Sequence, residues 1–169
     1  MNSDIHLDHQ HWMRIALEEA ERAMGSGELP IAAILVSNSE EVIREQTQVS
    51  RMGSMTAHGE VLALMRAGTK LFAGSKPLIL YTNLEPCLMC LGAAMQCGVD
   101  EIVYGMDCAP DGGIRYVDCI KQGGQTTPRI TRQVREAGSV ELFRRFLLNN
   151  PSHFAVNYVR ALLEPYTGR

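Results

Sequence analysis

The chain has 169 residues, of which 46% are apolar and 21% charged, and its formal net charge is -3. That length fits one domain, 1–169, with one sizeable core, and the acidic balance excludes the global basic field of many nucleic-acid binders. Residues 1–10 lack a basic segment followed by an apolar stretch, and no run approaches the ~18 apolar residues of a membrane span, so a cytoplasmic protein with no membrane partner is expected.

The pattern predicts a helix from Asp8 to Met24, with Trp12, Ile15, Ala16, Ala20 and Ala23 on one face. Gly25 to Gly27 stops it. Pro30 to Ser37 is a near-continuous apolar run, as in a strand covered on both faces. A turn at Asn38 to Glu41 leads to a second strand, Val42 to Val49, and a polar loop follows up to Thr56. A helix is expected from Ala57 to Arg66, ended by Gly68. Pro77 to Thr82 reads as a third strand, and Pro86 opens a helix that runs to about Cys97. Glu101 to Tyr104 reads as a fourth strand, followed by a loop from Gly105 to Gly113, and residues 129–134 as a fifth. Two closing helices, Ser139 to Asn149 and Ser152 to Glu164, are separated by Pro151. Strands alternating with helices imply an α/β fold in which helices cover both sides of one mixed sheet.

The chemistry concentrates in two short stretches, Thr56 to Glu60 (TAHGE) and Leu84 to Cys90 (LEPCLMC). Each lies at a predicted helix start, so His58, Cys87 and Cys90 can converge. Two thiolates and an imidazole are a zinc ligand set, and three protein ligands leave the open position of a catalytic zinc. Cys97 lies two helical turns beyond Cys90, about 10 Å along the axis, too far for the same tetrahedron. Cys108 and Cys119 are not placed by spacing alone. The positive end of a helix favours thiolate over thiol. Glu60, two residues from a ligand, can carry protons beside the metal as a general acid/base. The bland alternatives are a redox Cys-x-x-Cys, a core histidine at 58 and a Glu60 that only complements a helix dipole. The combination of all four residues favours the metal centre.

His-x-Glu followed by Pro-Cys-x-x-Cys is the signature of the zinc deaminases. The sequence resembles the cytidine deaminase-like superfamily, and within it the branch of bacterial tRNA-specific adenosine deaminases and guanine or cytosine deaminases. The likeness runs from about Trp12 to Ala109 and rests on WMRIALEEA, PIAAILV, TAHGE, LYTNLEPCLMCLGAAM and VYG; residues 110–169 match loosely. It implies a three-layer α/β/α fold with a five-stranded mixed sheet, usually assembled as a homodimer or larger. It implies Zn2+ on His58, Cys87 and Cys90, with Glu60 as the catalytic proton carrier. Gln48, Ala57, Leu84, Glu85 and Asp107 would meet the substrate. The chain departs from its relatives at Gly59 (usually Ala), at Ala32 (usually Gly, an added methyl expected near the pocket) and at Gln48 (usually a base-binding Asn). The loop after the fourth strand lacks the arginine of the tRNA enzymes.

Three functions compete on this reading. The first is a hydrolytic deaminase of a small amino-heterocycle, a free base or nucleoside, favoured by the acidic charge and these departures. The second is a tRNA adenosine deaminase, favoured by the overall motif likeness. The third is an inactive zinc scaffold, which the intact Glu60 argues against.

Overall fold

The computed structural model describes residues 8–68, 77–120 and 127–168. Residues 1–7, which bear on the expected lack of a leader, lie outside them. Helix α1 (His9–Gly25) is capped by the Asp8 carboxylate, which accepts the His11 N–H at 3.0 Å. Strands β1 (Ala32–Ser37) and β2 (Glu40–Gln46) form a hairpin. A short helix α2 (Val49–Met52) leads to α3 (Gly59–Ala67), which ends at Gly68 with φ 51°. Then come β3 (Leu78–Leu84), α4 (Leu88–Gln96) and β4 (Glu101–Met106). A 3-10 turn (Ile114–Tyr116) runs into α5 (Val117–Ile120), and β5 (Arg129–Thr131) precedes α6 (Glu136–Asn149) and α7 (Val156–Leu163).

The strand order is β2-β1-β3-β4-β5. β1 is antiparallel to both neighbours, while β3, β4 and β5 are mutually parallel, so the expected mixed five-stranded sheet is present. Period-2 alternation sorts its two faces. Ala33, Leu35, Leu78, Leu80, Ile102 and Tyr104 pack against α3 and α4. Ile34, Val36, Ile79, Tyr81 and Val103 pack against α1. At the carboxyl ends of β3 and β4, Leu84 and Met106 join a third cluster with Phe143 and Phe146 of α6 and Val159 and Leu162 of α7. This double coverage is why β1 and β3 read as unbroken apolar runs.

Several boundaries moved for physical reasons. Gln133 and Arg135 take left-handed backbone (φ 58° and 54°), which stops β5 three residues before the expected end. The turn α2 falls in the stretch expected as loop. Its N-terminal amides at Ser50 and Arg51 donate to the buried Glu28 carboxylate at 3.0 and 2.7 Å, a cap supplied from 22 residues upstream and so invisible locally. Pro86 lies just outside α4, and Cys87 is its N-cap. Glu19, expected off the apolar face of α1, is buried between Arg22 and Gln46, with which its carboxylate bonds. Among the described residues, no helix is long and apolar enough to cross a membrane.

Candidate metal centre and catalytic cavity

The positions of α3 and α4 follow from the side of the sheet they cover. Both are packed into the same apolar layer, with Ala63, Leu64, Leu91 and Ala94 between them and the strands. Their N-termini therefore lie together at the carboxyl end of β3. His58 is the N-cap of α3 and Cys87 the N-cap of α4, with Cys90 in the first turn. His58 Nδ1 lies 3.7 Å from Cys87 Sγ and 3.5 Å from Cys90 Sγ, and the two sulfurs are 3.6 Å apart.

These three separations fit zinc. Bond lengths of about 2.3 Å to sulfur and about 2.0–2.1 Å to nitrogen at tetrahedral angles give edges of about 3.8 Å between sulfurs and about 3.6 Å between sulfur and nitrogen. Among the described residues, these three form the group of His, Cys and acidic side chains whose ligand atoms come close enough to hold one ion. Without a cation the cluster shares its protons unevenly. The Cys87 thiol is drawn down to about 4, first by its hydrogen bond with Cys90 and next by His58, against the cost of burial. Cys90 is pushed up by the same bond and by its burial. His58 is raised, chiefly by its bond to Cys87. One thiolate and a protonated neighbour are what two close sulfurs adopt until a divalent cation makes two thiolates affordable.

Glu60 stands in the first turn of α3 and is 3% exposed. Its Oε2 has no hydrogen-bond partner within the protein. Burial raises its pKa from the ordinary 4.5, with His58 pulling in the other direction. A buried carboxyl with one oxygen unspent is equipped to take and return a proton.

A cavity of about 300 Å³ opens beside these groups, and His58, Glu60, Cys87, Thr47 and Leu84 line it. Val49, Met55 and Glu85 add to it, and the rest of the wall comes from distant segments: Leu29 and Ile31 ahead of β1, Asp111 from the loop after β4, and Phe154, Ala155 and Tyr158 around the start of α7. None of the last three is among the residues expected at the substrate, and only the packing of α7 on α6, beside Leu84 and Met106, brings them there. Tyr158 is tied across the wall, its hydroxyl 3.1 Å from Asp111 Oδ1 and 3.4 Å from Cys108 Sγ.

The five residues expected at the substrate are placed unequally. Leu84 and Glu85 line the cavity. Both backbone groups of Ala57 are engaged, its N–H with Ser54 and its carbonyl with Gln48 N and Thr47 Oγ1. Gln48 does not line the cavity: its side-chain amide donates to Glu45 Oε2 at 3.2 Å, and the preceding Thr47 lines the cavity instead. Asp107 points elsewhere, accepting from the Tyr104 hydroxyl at 2.8 Å and from Gln133 at 2.9 Å. The methyl of Ala32, expected near the pocket, packs with Ala20 and Leu142 on the opposite face of the sheet, and Ile31 takes the cavity side. Gly59 has a local reason. A β-carbon there would stand 3.2–3.3 Å from the backbone of Glu45, Gln46 and Thr47, so alanine would press on the end of β2. Asn83 was overlooked; fully buried, it accepts from Ala32 N–H at 2.9 Å and donates to Pro30 carbonyl at 2.8 Å, fixing the start of β1 beside the site. The rare buried amide directly before Leu84-Glu85-Pro86-Cys87 was the available signal.

A mixed sheet carrying a His-Cys-Cys cluster and a buried carboxyl at two helix starts defines a metal-dependent hydrolytic centre. Comparison with known proteins agrees. Residues 7–106 match the family described as the cytidine and deoxycytidylate deaminase zinc-binding region. The chain is 32% identical over 109 residues to a tRNA-specific adenosine deaminase of Aquifex aeolicus, an alignment covering 62% of this chain and 70% of that protein. It is 39% identical over 105 residues to the Haemophilus influenzae tRNA-specific adenosine deaminase, covering 60% of each. A solved structure from a study of A-to-I editing by tRNA:A34 deaminases superposes with a TM-score of 0.68 at 27% identity, over 78% of this chain and 98% of that one. The chain belongs to the cytidine and deoxycytidylate deaminase family, and zinc is the cofactor its ligand set accommodates.

Proposed function

We propose that this protein is a hydrolytic deaminase that converts adenosine to inosine in the anticodon loop of a tRNA. The observation that carries the reading is the 32–39% identity to proteins named for that activity. Two sequence features that pointed to a small free substrate lose their weight in the fold, because Gln48 is turned to Glu45 and Ala32 faces away from the cavity.

His58, Cys87 and Cys90 would hold the zinc, which when bound supplies Lewis-acid activation of a water at neutral pH. Ile31, Leu84 and Phe154 give the heterocycle apolar walls. Glu60 Oε2 takes a proton from the attacking water and delivers it to the ring nitrogen next to the amino-bearing carbon. The second water proton leaves by the same carboxyl for the amine, which departs as ammonia while the ring carbon keeps the oxygen. Water and amine in, ammonia and carbonyl out, is the balanced reaction.

A second reading, a free base or nucleoside as substrate, is supported by the rim. Asp111 puts a carboxylate on the cavity wall, and Arg115 is spent on the carbonyls of Gly112, Cys108 and Ala109 instead of standing free for a phosphate. The deciding measurement is ammonia and inosine formation from a panel: adenine, guanine and cytosine, their nucleosides, and an anticodon stem-loop with adenosine at the wobble position. Inosine in the stem-loop with little turnover of free bases is expected. Efficient release of ammonia from a free base, with the stem-loop inert, would transfer the assignment to the second reading.

We further propose a homodimer. Met65 on α3, Leu88 and Met89 on α4 and Tyr116 beside them are exposed apolar side chains on one outer layer of the sandwich. A solution mass near twice the 18.7 kDa chain is expected by light scattering, and a monomer at micromolar concentration would refute it.

A further inference from the structure

Glu85 is 8% exposed and sits two residues before a metal ligand, yet both oxygens of its carboxylate are bonded to a distant loop. Its Oε2 accepts the Cys108 N–H at 2.9 Å and its Oε1 the Ile114 N–H at 3.2 Å. Those amides bracket the segment that carries Asp111 to the cavity. The loop is drawn in so closely that it leaves no room for side chains at its turn. A β-carbon on Gly112 would stand 2.3–2.5 Å from the Glu85 carboxyl, and one on Gly113 2.6–2.7 Å from the backbone of Cys87 and Leu88. Gly113 N–H donates to the Pro86 carbonyl at 2.7 Å, and Gly112 bridges to Cys87. Arg115 closes the far side of the loop on its own carbonyls.

We propose that Glu85 is a positioning residue: its carboxylate buckles the 108–114 loop to the turn between β3 and α4 that bears Cys87, and so sets the cavity wall formed by Asp111 and, through it, Tyr158. Two parallel acceptors matched to two backbone N–H groups are the arrangement a carboxylate satisfies and a carboxamide does not, since the amide nitrogen would face a donor. The wall so placed binds substrate; His58, Cys90 and Glu60 are held by α3 and α4, and Cys87 keeps its own ties to the loop, the Gly112 bridge and the Gly113–Pro86 bond, neither of which uses the Glu85 carboxylate.

The test uses the zinc-loaded protein and two variants, Glu85→Gln and Gly112→Ala, the second dislodging the same carboxylate from the loop side. Kinetics are read on whichever member of the panel above the wild-type enzyme turns over, so the result stands whichever substrate reading holds. Each variant is expected to keep about one zinc per chain and a kcat within about threefold of wild type, while KM rises about tenfold. The double variant is expected to be no worse than the worse single, because both break one buckle. Hydrogen exchange supplies a readout independent of turnover: the Cys108 and Ile114 amides should be slow in the wild type and at least tenfold faster in either variant. A fall in kcat at unchanged KM would make Glu85 a catalytic group, and loss of zinc would make it part of the metal's scaffold; either overturns the proposal. So would additive effects of the two changes. If neither variant folds, fast exchange of the two amides in the wild-type protein would overturn it, and slow exchange there would uphold it.

Discussion

Glu60→Ala is expected to lower turnover by at least ~10²-fold while the protein keeps its zinc and most of its affinity for substrate. The size follows from losing a general acid/base, about 2.7 kcal/mol of barrier at ~1.4 kcal/mol per tenfold. Zinc should stay because the three ligand atoms are assembled by the starts of α3 and α4 without help from this carboxyl. Metal analysis beside steady-state kinetics checks both halves. A variant that loses zinc would show Glu60 to be a ligand, and one that keeps its rate would place the proton carrier elsewhere. The carboxyl also has a stability signature. Its folded pKa is raised by burial, so the unfolded chain ionises first as pH rises. Stability is therefore intact below the ordinary value of 4.5 and is lost as pH climbs through the raised folded value. Stripped of zinc, Glu60→Gln should melt above the wild-type protein at pH 7 and level with it below pH 4. The reverse order at pH 7 would mean that the carboxylate is stabilised in the fold.

Cys87→Ala or Cys90→Ala is expected to abolish zinc binding and to lower the melting temperature. Zinc binding is folding free energy where the site forms only in the native state. Here the sheet has its own apolar layers, so the metal-free chain should remain foldable but weakened. A loss of ~3 kcal/mol or more would lower Tm by about 10 °C at this chain length. Inductively coupled plasma analysis and thermal melts with and without a chelator make the measurement. Chelation should shift the wild type down to the variants and leave the variants unmoved. A native protein that shows a reduced dithiol and takes up no zinc on reconstitution would remove the metal centre from the account.

The His-Cys-Cys cluster and the carboxyl beside it were legible in the sequence because the spacing that joins them is local. His58 and Glu60 are two residues apart, Cys87 and Cys90 three, and both pairs sit at helix starts announced by their neighbours. The sheet was legible for a similar reason: β1 and β3 are apolar on both faces, and period alone separates them from the amphipathic α1. The cavity was not legible. Its walls come from residues around 30, 47, 84, 111 and 155, joined only when β1 is laid between β2 and β3 and α7 is packed on α6 beside the ends of β3 and β4. Side-chain direction also escaped the sequence. Gln48 and Thr47 are adjacent, and a strand end decides which of them faces the cavity; the pull of Glu45 turned Gln48 away. Ala32 was assigned to the wrong face for the same reason, since one residue of register exchanges the two sides of a sheet. Glu85 reads in the sequence as part of a motif that meets substrate, and only the return of the loop from Cys108 to Ile114 shows what its oxygens hold. The sequence by itself determined the metal, the place of Glu60 beside its ligands and the layers, because ligand chemistry and hydrophobic period are properties of short segments. The tertiary structure decided the shape and polarity of the cavity, because those depend on bringing together segments up to 129 residues apart, from Leu29 to Tyr158.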